Sequence, residues 1–395
     1  MIINNIPQGY KDSPLGVIPQ EWEVKRLGEV CDFLDNKRVP IKDADRSKMQ
    51  GCYPYYGASG IIDYVNDYIF DDDLILLGED GANIINRSTP LAFLVSGKVW
   101  VNNHAHVLKA KESNHRYYVC AFLESLKYDK YNTGTAQPKL NREVCSNIEI
   151  ACPPLPEQQR IAEVLGTWDV AIEKQGALVD KLTERKRALM QQLLTGKKRL
   201  PNFSEPWETV RLGEIGSIIT GSTPPMNVDE YYGGNSLWAT AIDFKGMYLK
   251  DTQIKLSELG AAKYRVVPKG SVLVTCIASI GKNVIADTEL SFNQQINAII
   301  PNKNYKSEFV YFQIENSINK LHEVAGAGAV KIINKTSFAN IKLEFPSLPE
   351  QTAIAQILTT ADREIEGAKA KLESLRSQKR GLMQQLLSGK KRIKI

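Results

Sequence analysis

Four histidines occur in 395 residues, and two of them, His104 and His106, form an HxH pair. That spacing could ligate a transition metal through imidazole nitrogens. A metal needs further donors, and no nearby cysteine or carboxylate completes a set; only His115 and His322 remain. A later segment repeats the pattern with amides. Val101-Asn102-Asn103-His104-Ala105-His106-Val107 lines up with Phe292-Asn293-Gln294-Gln295-Ile296-Asn297-Ala298. Gln295 and Asn297 would bind zinc poorly. Imidazoles and amides exchanged at matched loop positions suit hydrogen-bond recognition, and a buried structural network explains them nearly as well.

Other loops pair in the same way. Asp73-Leu74-Ile75-Leu76-Leu77 runs into Gly78-Glu79-Asp80-Gly81-Ala82-Asn83, and Ser271-Val272-Leu273-Val274-Thr275 runs into Cys276-Ile277-Ala278-Ser279-Ile280-Gly281-Lys282-Asn283. Further on, Thr133-Gly134-Thr135-Ala136-Gln137-Pro138-Lys139 corresponds to Ala325-Gly326-Ala327-Gly328-Ala329-Val330-Lys331, where only the final lysine is shared. Neither Gly281-Lys282 nor Gly326-Ala327-Gly328 fits the phosphate-loop pattern GxxxxGK[ST], so both read as backbone-permissive turns. There is no strand–GxGxxG–helix unit and no cluster of acids suited to metal-dependent cleavage. Pro153-Pro154 and Pro224-Pro225 lack the Asn or Asp and aromatic neighbours of a base-methylation motif. No catalytic site is expected.

These loops sit on a duplicated framework. From Leu155 the chain reads LPEQQRIAEVLGTWDVAIEKQGALVDKLTERKRALMQQLLTGKKR, and from Leu348 LPEQTAIAQILTTADREIEGAKAKLESLRSQKRGLMQQLLSGKKR, with about 25 of 45 positions identical and no gap. Trp22-Glu23 followed by Arg26-Leu27-Gly28-Glu29 returns as Trp207-Glu208 followed by Arg211-Leu212-Gly213-Glu214. Each copy joins a variable globular part, with short β-branched or aromatic strands broken by Gly, Asn and Asp, to a nearly constant helix. The fold class expected is α/β (α+β), with an internal pseudo-two-fold; few substrates suit that symmetry, and DNA is foremost among them. The boundaries expected are a first globular domain over 1–154, its helix over 155–200, a second globular domain over 201–346 and its helix over 347–395.

The helical period supports the last point. Apolar residues fall at Ile161, Leu165, Trp168, Ile172, Val179, Leu182, Leu189 and Leu193, with Gln175 and Lys186 in the two missing seam positions. The copy gives Ile354, Leu358, Ala361, Ile365, Ala368, Leu372, Leu375, Leu382 and Leu386, with Lys379 in place of Lys186. A 3.5-residue step is a coiled-coil seam. Pro156 and Glu157 suit a first turn, and Gly196 and Gly389 suit helix stops. Each helix would be roughly 58 Å long. The two are expected to pair with each other, antiparallel, because both lie in one chain at high effective concentration; a homodimer through the same seams is the alternative. The seam lysines would disfavour other registers or snorkel outward. The basic ends, Lys197-Lys198-Arg199 and Lys390-Lys391-Arg392 with Lys394 beyond, read either as solvated helix ends or as contacts to phosphates or an acidic partner.

Composition agrees. A net charge of +5 permits a nucleic-acid partner without demanding one. Cys31, Cys52, Cys120, Cys145 and Cys152 fall in the first copy and Cys276 alone in the second, so no disulfide or zinc pattern is repeated; ordinary reduced thiols are expected. No secretory leader or long apolar run is visible, and the expected location is cytoplasmic.

Gly9-Tyr10-Lys11-Asp12-Ser13 with Pro19-Gln20-Glu21-Trp22, the segment Gly134-Thr135-Ala136-Gln137-Pro138-Lys139-Leu140 and the two LPEQ…MQQLL(T/S)GKK helices together resemble the specificity subunit of type I restriction–modification systems, over essentially the whole chain. That resemblance implies a non-catalytic DNA reader. Two target recognition domains would each bind one half of a bipartite site. The paired helices would set the spacing and dock two adenine-N6 methyltransferase (modification) subunits. S-adenosylmethionine, ATP and Mg²⁺ would belong to the partner subunits, with restriction subunits completing the nuclease and no cofactor or metal on this chain. Two readers on one face of B-DNA sit roughly 34 Å apart or a multiple of it. Candidate DNA contacts in the first copy are Tyr56, Ser59, Asn83, Asn103, His104, His106, Thr135, Gln137 and Lys139. In the second they are Ser222, Thr223, Ser279, Lys282, Gln294, Gln295 and Lys331. Phosphate contact by Lys139 and Lys331 is expected ahead of base contact by Gln137, since that lysine is the residue common to both loops. The readings that compete are an enzyme with an unrecognised motif and a coiled-coil adaptor whose globular ends bind proteins rather than DNA.

Overall fold

The computed structural model describes residues 6–326 and 331–393. They form two compact units, Met1–Gln175 with Lys371–Ile395, and Gly176–Ala370. The division passes through both long helices, Leu155–Leu193 and Leu348–Leu387, rather than at their beginnings. Each helix begins in one hydrophobic core and finishes in another, which explains the placement. Ile161 and Leu165 are buried in the first unit beside Met383, Leu386 and Leu387, whereas Met190, Leu193 and Leu194 are buried in the second beside Ile354 and Leu358.

In the first unit, Cys31–Phe33, Ala105–Ala110, Leu74–Gly78 and Ala92–Val95 form an antiparallel sheet in that order. All of Leu74–Gly78 is buried, as its unbroken apolar run implies for a central strand. Helix Arg116–Ser125 buries Tyr118, Val119, Phe122 and Leu123 in the same core. A second sheet runs Gly60–Val65, Gln50–Gly57, Lys98–Val101 and Phe70–Asp71, with Trp100 paired in parallel to Tyr55. A two-stranded ladder, Glu23–Arg26 against Glu149–Cys152, delivers the chain into the first long helix.

The second unit repeats the plan. Its larger sheet runs Gly216–Thr220, Ile296–Pro301, Val272–Thr275, Asn283–Ala286 and Tyr248–Leu249. The smaller one runs Ile254–Leu256, Tyr232–Ala239, Leu290–Phe292 and Val266–Val267, again with a parallel pairing, Trp238 to Ser291. Glu208–Arg211 pairs with Lys342–Phe345 before the second long helix. The mixture of helices and largely antiparallel sheets is the α+β form of the expected class. Among the described residues, no helix is long and apolar enough to cross a membrane.

Within each unit the two helix segments are antiparallel. In the first, Glu157 pairs with Arg392 and Asp169 with Lys379; in the second, Lys186 pairs with Asp362 and Arg199 with Glu350. Partner numbers fall along one helix as they rise along the other. The seam lysines therefore specify register. Lys186 Nζ lies 2.8 Å from Asp362 and 5.3 Å from the centroid of the Phe312 ring, and Lys379 meets Asp169 beside Tyr117. Burial of the seam is uneven. Ile161, Leu165, Leu193, Ile354, Leu358, Ile365 and Leu386 are buried, whereas Trp168, Ile172, Val179, Leu182, Leu189, Leu372, Leu375 and Leu382 are only half-buried. Burial is confined to the two ends of the first helix, whereas in the second it continues through Ala361, Ile365 and Ala368 before lapsing to Leu382. Beyond the helices, Gly196 at φ 66° and Gly389 at φ 69° adopt the left-handed backbone of a helix stop.

Candidate nucleic-acid interface

In the first unit three loops meet at one end of the larger sheet, held by backbone bonds. Glu79 N donates to His104 O at 2.9 Å, Leu140 N to Glu79 O at 2.7 Å and Gly81 N to Pro138 O at 3.1 Å. Asp80 and Lys139 form an isolated antiparallel bridge. The His104 turn is closed by its N–H donating to Asn102 Oδ1 at 2.8 Å. In the 133–139 loop, Asn132 Oδ1 accepts from Gly134 N and Lys139 N, and a Cβ at Gly134 would lie 1.8 Å from Gln137 O. Only glycine fits there. Asn103, His104, Thr135, Gln137 and Lys139 are left exposed on this surface. Ser59 is also exposed, on a hairpin turn whose Ala58 carbonyl would stand 2.7 Å from a Cβ at Gly78.

Three of the candidates serve the scaffold instead. Tyr56 is half-buried, with its ring centroid 6.0 Å from that of Phe93. Asn83 binds Thr89 and Ser88 within its own turn. His106, 1% exposed, has Nδ1 2.7 Å from Asp35 Oδ2 and Nε2 2.9 Å from Leu140 O. Both nitrogens are occupied, so neither is free for a base or a metal. Burial opposes its charged form, but the Asp35 carboxylate and the Cys145 sulfur outweigh burial and push His106 up to about 10. Beside it Arg38 Nη1 donates to Glu79 Oε2 at 2.7 Å and to Ala105 O at 2.8 Å. His106 is an imidazolium knitting the loops from beneath, whereas His104, with Nδ1 2.8 Å from Asp80 Oδ2, faces solvent. His104 lies in the turn before strand Ala105–Ala110 and His106 lies within the strand, so one histidine serves the surface, the other the network.

The second unit keeps the backbone and changes the side chains. Cys276 N donates to Gln295 O at 2.8 Å, Ile333 N to Cys276 O at 2.8 Å and Ala278 N to Lys331 O at 3.1 Å, while Asn293 Oδ1 closes the Gln295 turn at 3.1 Å. Asn297 takes the place of His106, buried between the Thr220 hydroxyl and Cys276 Sγ. Thr223 and Gln294 are exposed and bonded to each other. Lys282 and Lys331 are exposed, and Ser222, Ser279 and Gln295 are half-buried. Ala327 to Val330, part of the Gly-Ala loop singled out in the sequence, and Lys394 lie outside the described residues.

The structure corrects two expectations. Lys139 bridges Asp80, but in the second unit the residue bridging Ile277 is Ile332, not Lys331; Lys331 occupies the position of Pro138. The sequence comparison was one residue out of register, so the shared lysine is no sign of a shared role. The basic helix ends are also not uniformly free. Arg199 and Arg392 are paired with Glu350 and Glu157, while the neighbouring Lys197, Lys198, Lys390 and Lys391 are exposed.

The repeated motifs are explained by what they anchor. Trp22 Nε1 donates to Glu157 Oε2 at 3.0 Å, and Trp207 Nε1 to Glu350 Oε2 at 3.2 Å. Gln158 and Gln351, both buried, accept from His115 N at 2.8 Å and Lys306 N at 3.0 Å, next to the starts of helices Arg116–Ser125 and Ser307–Asn316. The LPEQ segment is therefore a socket that ties the start of each long helix to a tryptophan and to the start of a neighbouring helix, in the same way in both units.

Two copies of one framework, alike in buried anchors and unlike in exposed loops, define a duplicated recognition protein. The chain matches the family model for the type I restriction modification DNA specificity domain over residues 19–181 and 204–376. It is 28% identical, over 86% of its length and 87% of the other, to a putative type I restriction enzyme specificity subunit (S.HindORF215P) of Haemophilus influenzae. To the putative MjaX specificity subunit of Methanocaldococcus jannaschii it is 27% identical over 98% of its length and 97% of the other. The crystal structure of the S subunit from M. genitalium shares the fold, with a TM-score of 0.65 over 98% of each chain at 15% identity. The chain belongs to the type I restriction–modification DNA specificity family, and its role is DNA recognition within such a complex.

Proposed function

We propose that each unit reads one half of a bipartite DNA site through its own loop cluster, and that the chain itself carries no catalytic group. The observation that carries this reading is the contrast just described: buried Glu157 and Gln158 have buried counterparts in Glu350 and Gln351, each glutamate clasped by an arginine, Arg392 or Arg199, whereas His104, Asp80 and Lys139 answer to Gln295, Ile277 and Ile332. Selection for one geometry and two sequences would leave that pattern. Loop residues exposed in each unit supply the side-chain types that read base edges: imidazole, amide, hydroxyl and ammonium. Exposed Lys139, Lys282 and Lys331 suit phosphates, fixing position rather than sequence.

Partners follow the same reading. The long helices hold the gap between the two half-sites and offer their exposed faces to two modification subunits; S-adenosylmethionine sits on those subunits, and ATP and Mg²⁺ act with the restriction subunits, in the cytoplasm. The test is direct. The complex of this chain with its modification subunits should bind a duplex carrying its methylome-mapped site at least about tenfold more tightly than a scrambled duplex, at fixed salt. Equal binding would overturn the proposal, as would methyl transfer or cleavage by the chain alone.

A further inference from the structure

The two units differ most sharply at one bridge. In the first, the strand-like contact between loops is made by Asp80 and Lys139, with Lys139 Nζ also 3.5 Å from Glu79 and Asp80 holding His104. In the second, the same backbone contact is made by Ile277 and Ile332. The surrounding bonds are matched one for one, so the exchange is of side chains on a fixed frame: Leu140 N to Glu79 O becomes Ile333 N to Cys276 O, and Gly81 N to Pro138 O becomes Ala278 N to Lys331 O. Ile332 is 50% exposed, and Ile277, its partner across the bridge, is half-buried.

An isoleucine neither donates nor accepts a hydrogen bond. On a surface that meets base edges it discriminates only by shape and apolar contact, and the apolar group that the major groove offers is the C5-methyl of thymine. We infer that Ile332 is a specificity-determining residue of the second unit and recognises a thymine methyl group. The inference rests on the proposed reading of that unit as a DNA reader, and it assigns opposite chemistry to the two readers: hydrogen bonding at Asp80, His104 and Lys139, methyl contact at Ile332.

The experiment replaces each thymine of the methylome-mapped site, one at a time, with deoxyuridine, which removes the methyl and nothing else. Binding is measured by the assembled complex of chain and modification subunits. The expected result is one position at which deoxyuridine weakens binding about threefold to fivefold, the worth of one buried methyl. That sensitivity should vanish in Ile332→Ala and persist in Ile332→Val. The inference is overturned if no position is sensitive or if Ile332→Ala remains sensitive. An Ile332→Ala effect equal on thymine and deoxyuridine duplexes, with weakened assembly, would overturn it in favour of a protein contact. Failure of the wild-type complex to prefer its mapped site would sink the DNA reading as well, so the two failures are separable.

Discussion

Arg392 clasps Glu157 across 235 residues of chain, with Nε 2.6 Å from Oε1 and Nη2 2.9 Å from Oε2. The carboxylate is 1% exposed and receives Trp22 Nε1 as well. A bidentate guanidinium on a buried carboxylate fixes angle as well as distance, which a lysine would not do. The second unit builds the same clasp from Arg199, Glu350 and Trp207.

Removing the guanidinium strands a buried charge. Arg392→Met should lower the stability of the first unit by about 2 kcal/mol, below the range for fully buried pairs because Arg392 is partly exposed. Adding Glu157→Gln should recover much of the loss. Chemical denaturation of the single and double variants checks this; an Arg392→Met chain as stable as wild type would contradict the role given to the clasp.

The seam lysines make a reciprocal prediction. Lys186→Glu would face Asp362 and Glu315, so the second unit should lose stability, and Asp362→Lys in the same chain should restore it. Thermal unfolding of the three variants measures the coupling. Simple addition of the two single effects would show that the pair does not set register.

His106 gives a pH dependence whose sign is fixed. Its folded value of about 10 lies above the ordinary 6.5, so its stabilising effect is complete below about pH 6.5 and is lost as pH rises through about 10. The stability gap between wild type and His106→Asn should therefore narrow steadily from pH 6.5 to 10. A gap that stays constant over that interval would show that His106 is not held as an imidazolium.

Depth along the seam should grade the response to a charge. Leu358→Asp, fully buried beside Ile354 and Leu193, should cost several kcal/mol, on the order of an unpaired buried charge. Leu182→Asp and Leu375→Asp, at half-buried positions, should cost about 1 kcal/mol each. Equal losses at all three would contradict the grading of burial between Leu358 and the half-buried Leu182 and Leu375.

What the sequence disclosed, and what it hid, follow from chain distance. The helices, their stops at Gly196 and Gly389 and their antiparallel pairing were legible because a seam has local period and the repeat is without gaps. The burial of Leu74–Gly78 was legible from an unbroken apolar run rather than from any period. The clasp was not: Trp22, Glu157 and Arg392 lie far apart in the chain, and nothing local marks an arginine in a basic tail as paired rather than free for phosphate. His104 and His106 look alike as an HxH motif, but the first falls in an exposed turn and the second inside the strand that follows it, under the loops. The lysine register failed because loops that share backbone but not residues cannot be aligned by their residues.

On the proposed reading the first unit reads one half-site and no more. The measurement is genome-wide mapping of methylated adenine in cells whose chain carries residues 23–152 exchanged for those of a relative with a different site. One half of the recognised sequence should change while the other half and the gap remain. A change in both halves, or in neither, would contradict it.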